Sequence, residues 1–174
     1  QESLAKSSGQ TALEQLWVIH LLGGLDDTTT LRALDHDDPY VRLWAARLAA
    51  DDDQVSPAVR NKLVDLAYRD PQVAVRSQLA SSARRLPAAD GLPILKNLLS
   101  RDEDLDDIHV PLLLWWGLEA KADSDREAVL SVFADASVWQ LPMVRKHVLG
   151  RLMRRFASTG ARKDLLTCAR LLQL

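Results

Sequence analysis

The stretch RDEDLDDIH, residues 101–109, holds the densest set of potential metal ligands in the chain. Asp102, Asp104 and Asp106 occupy the first, third and fifth places of a calcium-binding loop, where carboxylate oxygens suit a hard cation. Such a loop needs glycine sixth, for its sharp turn, and glutamate twelfth, for a bidentate grip; Asp107 and Leu113 stand there instead. With both diagnostic places wrong, the loop reads as a solvated turn that caps a helix beginning near Asp107. No metal site is assigned.

A second concentration of charge lies at 145–163, where Arg145, Lys146, Arg151, Arg154, Arg155, Arg162 and Lys163 follow one another with no acid between them. Such a run suits an anion, a nucleic acid or an acidic protein. Lys146, Arg151 and Arg154 fall away from the apolar stripe of this segment, whereas Arg145 falls near it and is expected to pair internally. The net charge of −2 argues against nucleic acid as the main partner. Among the histidines, His20 sits on an apolar helix face as a core residue, His36 stands among Asp35, Asp37 and Asp38, and none forms a His-Glu-x-x-His frame. Gly-x-Ser-x-Gly, a Cys–His pairing and a phosphate-cradling glycine loop are missing. Cys168, the single cysteine, reads as a buried, inert thiol, and with no Cys-x-x-Cys-His the segment attaches no c-type haem. The expectation is a non-catalytic segment with no cofactor of its own.

The elements that position these residues repeat. Pro39, Pro71, Pro111 and Pro142 recur at spacings of 32, 40 and 31 residues, each followed two places on by an aliphatic residue and then by a helical pattern. Proline suits a helix's first turn, where its missing N–H would lack a partner in any case. After Pro39, Val41, Trp44, Ala45, Leu48 and Ala49 share a face; after Pro71, Val75, Leu79, Ala80, Ala83 and Leu86; after Pro142, Val144, Val148, Leu149, Leu152 and Phe156. Partner helices are placed near 28–35, 57–69, 89–100 and 124–135, preceded by one at 12–23 and followed by one at 161–172. Short loops with cap and turn chemistry separate them.

No alternating β pattern occurs, and Leu and Ala dominate a chain that is 47% hydrophobic. The fold class is therefore all-α: a right-handed α-solenoid of about five helix pairs forming a single domain over 1–174. The longest apolar run, Val110–Leu118, is about half the length that crosses a bilayer. The chain opens on Gln1 and closes on an apolar LLQL, which reads as a piece excised from a longer protein.

In DPYVR, residues 38–42, Asp38 caps, Pro39 starts the helix, Tyr40 faces out, Val41 enters the core and Arg42 reaches to a neighbouring repeat. An aspartate of an adjacent interhelical loop, Asp70 or Asp38, is the expected partner, as one rung of an Asp–Arg ladder that fixes register. Arg145 holds the motif position in a later copy, while the second copy has Ala74 there, with Arg76 two residues further on. Trp115 and Trp116 point about 100° apart on a helix, so one can join the core and the other must face outward.

LDHDDPYVRLWAARLAADD, Leu34–Asp52, resembles a HEAT repeat of the short bacterial kind. Over nearly the whole chain, LWVIHLLGGLDDTTTLRALDHDDPYVR, VRSQLASSARRLP, HVPLLLWWGLEA and RLMRRFASTG are similar to the helical segment of large bacterial membrane-bound dehydrogenase-like proteins. In that family a quinoprotein-like β-propeller precedes the helical repeats and a c-type haem domain follows them. The resemblance implies an exported, periplasmic or cell-envelope redox parent, within which this segment is a scaffold that docks other domains or a protein partner. Its candidate contact residues are Tyr40, Arg42, Trp115, Trp116, Arg145, Lys146, Arg151, Arg154 and Arg155. Two other readings stay open: a HEAT-like nucleic-acid binder using the basic 145–163 run, and a lyase-type HEAT protein that handles a tetrapyrrole.

Overall fold

Capping side chains start four of the helices directly. The computed structural model describes residues 7–173 and contains, among them, eleven α-helices and no strand. These are α1 (Gly9–Leu21), α2 (Asp27–Leu34), α3 (Pro39–Leu48), α4 (Pro57–Arg69), α5 (Val73–Arg85), α6 (Ala88–Leu99), α7 (Val110–Glu119), α8 (Arg126–Val132), α9 (Ala136–Gln140), α10 (Leu149–Ala157) and α11 (Arg162–Leu171). Asp26 accepts from the Thr29 amide at 2.8 Å, Asp38 from Tyr40 at 2.9 Å, Ser56 from Val59 at 3.3 Å and Asp135 from Ser137 at 2.8 Å. Each satisfies an amide that the helix itself leaves without a partner. Pro39 and Pro57 open α3 and α4 as expected.

The helices pack in two rows. In one, α3 lies between α1 and α5, α5 meets α7, and α7 meets α10 and the turn preceding it. In the other, α4 lies between α2 and α6, and α6 meets α8. The rows are joined through α2–α3, α5–α6 and α6–α7. Apolar residues fill the space between them, among them Leu34, Leu63, Leu79, Leu95, Leu99, Leu114 and Phe133, all fully buried. Two glycines mark close approaches. A Cβ on Gly91 would stand 2.4 Å from the Ala83 carbonyl oxygen, and one on Gly117 would stand 2.9 Å from Leu95. Lys121, buried just past α7, donates to the carbonyls of Arg84 (3.1 Å) and Leu86 (2.8 Å) and so closes the C-terminal end of α5. Burial lowers its pKa from the ordinary lysine value.

Several expectations change. Pro71 lies outside α5, whose N-cap is Gln72, so the second copy of the motif is shifted by two residues. The segment expected as one helix at 124–135 ends at Val132, and a separate five-residue α9 follows it. His20 is half-buried with its Nε2 3.9 Å from Asp51, not a core residue, and its neighbour Leu21 is 81% exposed. Ahead of α10 the chain takes a wide π-helical turn at Val144–Val148. Val144, Val148, Leu152 and Phe156 recur every fourth residue, which in an α-helix drifts about 40° per step. Hydrogen bonds of i→i+5 type widen the turn and return these side chains to the buried side.

Candidate interaction surface

Arg42 of α3 and Arg76 of α5 are bound into the junctions between neighbouring helices. Arg42 Nε donates to Asp70 Oδ2 at 2.7 Å and Nη2 to Oδ1 at 3.1 Å, while Nη1 donates to the carbonyls of His36 (2.8 Å) and Asp37 (2.9 Å). Arg76 repeats the arrangement one pair later. Its Nε donates to Asp104 Oδ2 at 2.6 Å, Nη2 donates to Oδ1, and Nη1 donates to the Asp70 carbonyl at 2.8 Å. The carboxylate lies 28 residues ahead in both cases, and the His36 and Asp70 carbonyls lie 6 behind. The Asp–Arg contact expected of Arg42 is thus present, with Asp70 as the partner. Arg76, set aside by the motif alignment, supplies the second rung.

Arg76 and Asp104 are both buried, so their bidentate pairing offsets the cost of removing two charges from water. The hydrogen bond from Arg76 to Asp104 holds the guanidinium above its already high pKa, against the opposing effect of burial. Asp104 is therefore no part of a solvated turn. Asp107 does cap α7, accepting from the amides of His109 and Val110 at 2.8 Å each. The Val110 amide is the main cause of its lowered pKa. Asp106 pairs with Lys146, and among the described residues no group of three or more metal-binding side chains converges.

The other expected contact residues do not form one site. Tyr40 is exposed on α3. Trp115 is buried against the core, and Trp116 is the outward member of the pair, 42% exposed. Arg145 is exposed and has no ion pair among the described residues, which corrects the internal pairing expected for it; its position in the wide turn carries it off the buried stripe. Arg155 pairs with Asp123, and Glu119 lies 3.8 Å away. Arg151 donates to the His147 carbonyl of the preceding wide turn at 2.9 Å and Arg154 to the Gly150 carbonyl of α10 at 3.0 Å. The basic run is thus partly neutralised by acids of the preceding helix pair. Cys168 is buried, with its sulfur 3.7 Å from the Met153 carbonyl oxygen.

The surface that the sequence reading missed is a groove of about 430 Å³ across α3, α5 and α7, lined by Leu43, Val73, Ala74, Ser77, Gln78, Ser81, Asp107, His109 and Leu113. Ala74, Ser77, Gln78 and Ser81 follow the i, i+3, i+4, i+7 rule on the side of α5 opposite its buried stripe. That run of small and uncharged polar side chains is the signal that could have shown it. Tyr40 stands one turn before Leu43 and Trp116 nearly one turn after Leu113, on the same sides of their helices. His36, beside the first ladder arginine, accepts from the Asp38 amide at Nδ1 (3.0 Å), so its Nε2 bears the proton shared with the Ser7 carbonyl at 3.1 Å.

No family model matches this chain, and neither a curated protein nor a solved structure is similar enough to match it.

Proposed function

We propose that the chain is a right-handed α-solenoid of about five HEAT-like helix pairs, acting as a non-catalytic scaffold that docks a protein segment or a neighbouring domain. The observation that carries this reading is the groove across α3, α5 and α7, open along three successive helices of one row. Its walls mix leucine and valine with serine, glutamine and histidine, and Tyr40 and Trp116 stand on the same helix sides. Large aromatics beside a shallow, partly polar trough suit an extended or helical protein segment better than a small substrate. The ionisable side chains nearby are engaged in fixing helix junctions, as Arg42, Arg76 and Asp104 illustrate.

The resemblance to the helical segment of bacterial membrane-bound dehydrogenase-like proteins supports a further part of this proposal: the scaffold works inside an exported, haem-containing redox protein. Photo-crosslinking in the full-length protein tests the docking reading. A crosslinker in place of Ser77 or Trp116 is expected to capture a partner domain or protein, and one in place of Lys96, exposed on α6, is not. Equal capture from all three positions would remove the groove from the reading. A c-type haem absorbance band in the full-length protein tests the redox context separately, and its absence would leave a scaffold without that parent.

A further inference from the structure

We propose that the groove takes an extended segment of a separate partner protein, with its carboxylates gathered at the α7 side and apolar side chains along the rest. This rests on the docking reading above and adds the chemistry of the partner. The first observation is the set of cations around Trp116. Arg84 lies in the last turn of α5, and its carbonyl accepts from Lys121, just past α7, at 3.1 Å, which sets it beside the C-terminal end of α7. On the other side of α7, Arg155 pairs with Asp123 and lies 3.8 Å from Glu119, so this part of α10 runs beside the same end. Arg151 stands one turn before Arg155, and Arg154 is exposed next to it. Glu119 and Asp123 both lie against Arg155, whereas Arg84, Arg151 and Arg154 have no ion pair among the described residues. Trp116, the outward aromatic of α7, is thus flanked on both sides by unpaired positive charge.

The α3 side of the groove has the opposite character. Asp51, Asp52 and Asp53 follow α3; Asp51 pairs with Arg85, and Asp52 and Asp53 are exposed with no ion pair among the described residues. A nucleic acid carries a charge at every phosphate and would meet these carboxylates and Asp107 as it crossed. A protein segment can confine its acids to the α7 side. Its conformation follows from the floor of the groove, where Ser77 and Ser81 are half-buried and their hydroxyls make no hydrogen bond among the described residues. An extended chain has peptide groups in need of such partners, whereas a helix satisfies its own. Leu43 and Leu113 offer its side chains apolar surface. Neighbouring helices pack about 8–10 Å apart, so about six extended residues span α3 to α7. Unpaired arginines speed the encounter of separate molecules, a gain that a tethered domain, already at high local concentration, does not need.

A photo-crosslinking residue in place of Trp116 in the full-length protein, with the captured segment sequenced by mass spectrometry, tests this. The segment is expected to come from a separate protein, with carboxylates clustered beside the attachment point and aliphatic residues beyond it. Arg84→Glu with Arg154→Glu is expected to reduce capture by about tenfold or more, Arg84→Lys with Arg154→Lys to keep most of it, and Lys96→Glu on α6 to leave it unchanged. Both arginines are exposed, so folding is retained, and circular dichroism checks it. Capture that survives the charge reversal, a captured segment without acids or from the same chain, or a captured polynucleotide would overturn the proposal and leave the groove as a docking surface. No capture from Trp116 at all would remove the docking reading and this one with it.

Discussion

Arg76 and Arg126 each cross a helix-pair junction to a buried aspartate, but the two junctions are built differently. Around Arg76 both partners are buried, the pairing is bidentate, and Asp70 joins this rung to the next: its carboxylate accepts from Arg42 and its carbonyl from Arg76. Around Arg126 the guanidinium is more exposed, reaches one oxygen of Asp164 and stacks over the Phe156 ring at 5.0 Å, while the Thr159 hydroxyl serves the other oxygen. Beside it a gap of about 270 Å³ opens between α8 and α11, lined by Leu130, Ser131, Ala134 and Leu171. A buried, doubly bonded pair fixes the register of α3, α5 and α7. The later helices are shorter and rely on pairs that water reaches, such as Arg170 with Glu127. The difference implies a firm central block and a more yielding C-terminal part.

The largest way to break this contrast is Asp104→Ala, which leaves a buried guanidinium without its counter-charge. It is expected to cost about 3–5 kcal/mol in urea unfolding. Replacing both partners, as Arg76→Met with Asp104→Leu, is expected to recover most of that loss, because the burial penalty leaves with the charges. An unchanged unfolding midpoint in Asp104→Ala would show that the central block does not rest on this rung.

Gly91→Ala comes next. Alanine favours a helix, by about 1 kcal/mol over glycine, but here its Cβ meets a backbone carbonyl that has no side-chain freedom to move. The clash prevails, with a net loss of about 1–3 kcal/mol by thermal unfolding. Asp107→Ala removes the cap of α7 and is expected to cost about 1 kcal/mol. Because the Asp107 pKa is lowered in the folded protein, its contribution is present at neutral pH and above its unfolded value, and is lost as acid carries the pH down through the folded value. Asp107→Asn keeps a capping oxygen and is expected to lose that acid dependence, measured as unfolding midpoint against pH. The smallest effect is at the exposed Lys146–Asp106 pair, where Lys146→Ala is expected to leave the midpoint in place. A clear drop there would contradict the contrast from the other side.

What was legible in the sequence was local. Asp38, Pro39, Tyr40, Val41 and Arg42 behave as their order implies because capping, helix initiation and facing are settled within one turn. The helix Pro57–Arg69 was readable to its ends for the same reason. The partner of Arg42 could be narrowed to an aspartate of a neighbouring loop, since only those loops carry acids within reach. Arg76 was obscured because Pro71 resembles Pro39 in sequence but stands two residues ahead of its helix. Asp104 was harder still: nothing within its own loop separates it from Asp102 or Asp106, and its burial is decided by an arginine 28 residues earlier. The groove escaped for a related reason, since it exists only where the outward sides of three helices meet.

The ladder also acts as a ruler. Arg42 and Arg76 stand 34 residues apart, as do Asp70 and Asp104, so each arginine finds its carboxylate and its carbonyl at the same offsets. Duplicating residues 43–76 in tandem would present the first copy's Arg76 with the second copy's Asp70, and the second copy's Arg76 with Asp104. Every partner would be kept and one rung added. An insertion of any other length between Arg76 and Asp104 would change the offset and leave a buried charge to find its way back. The chain therefore contains a unit of growth, and its length is set by hydrogen bonding as well as by the helices it spans.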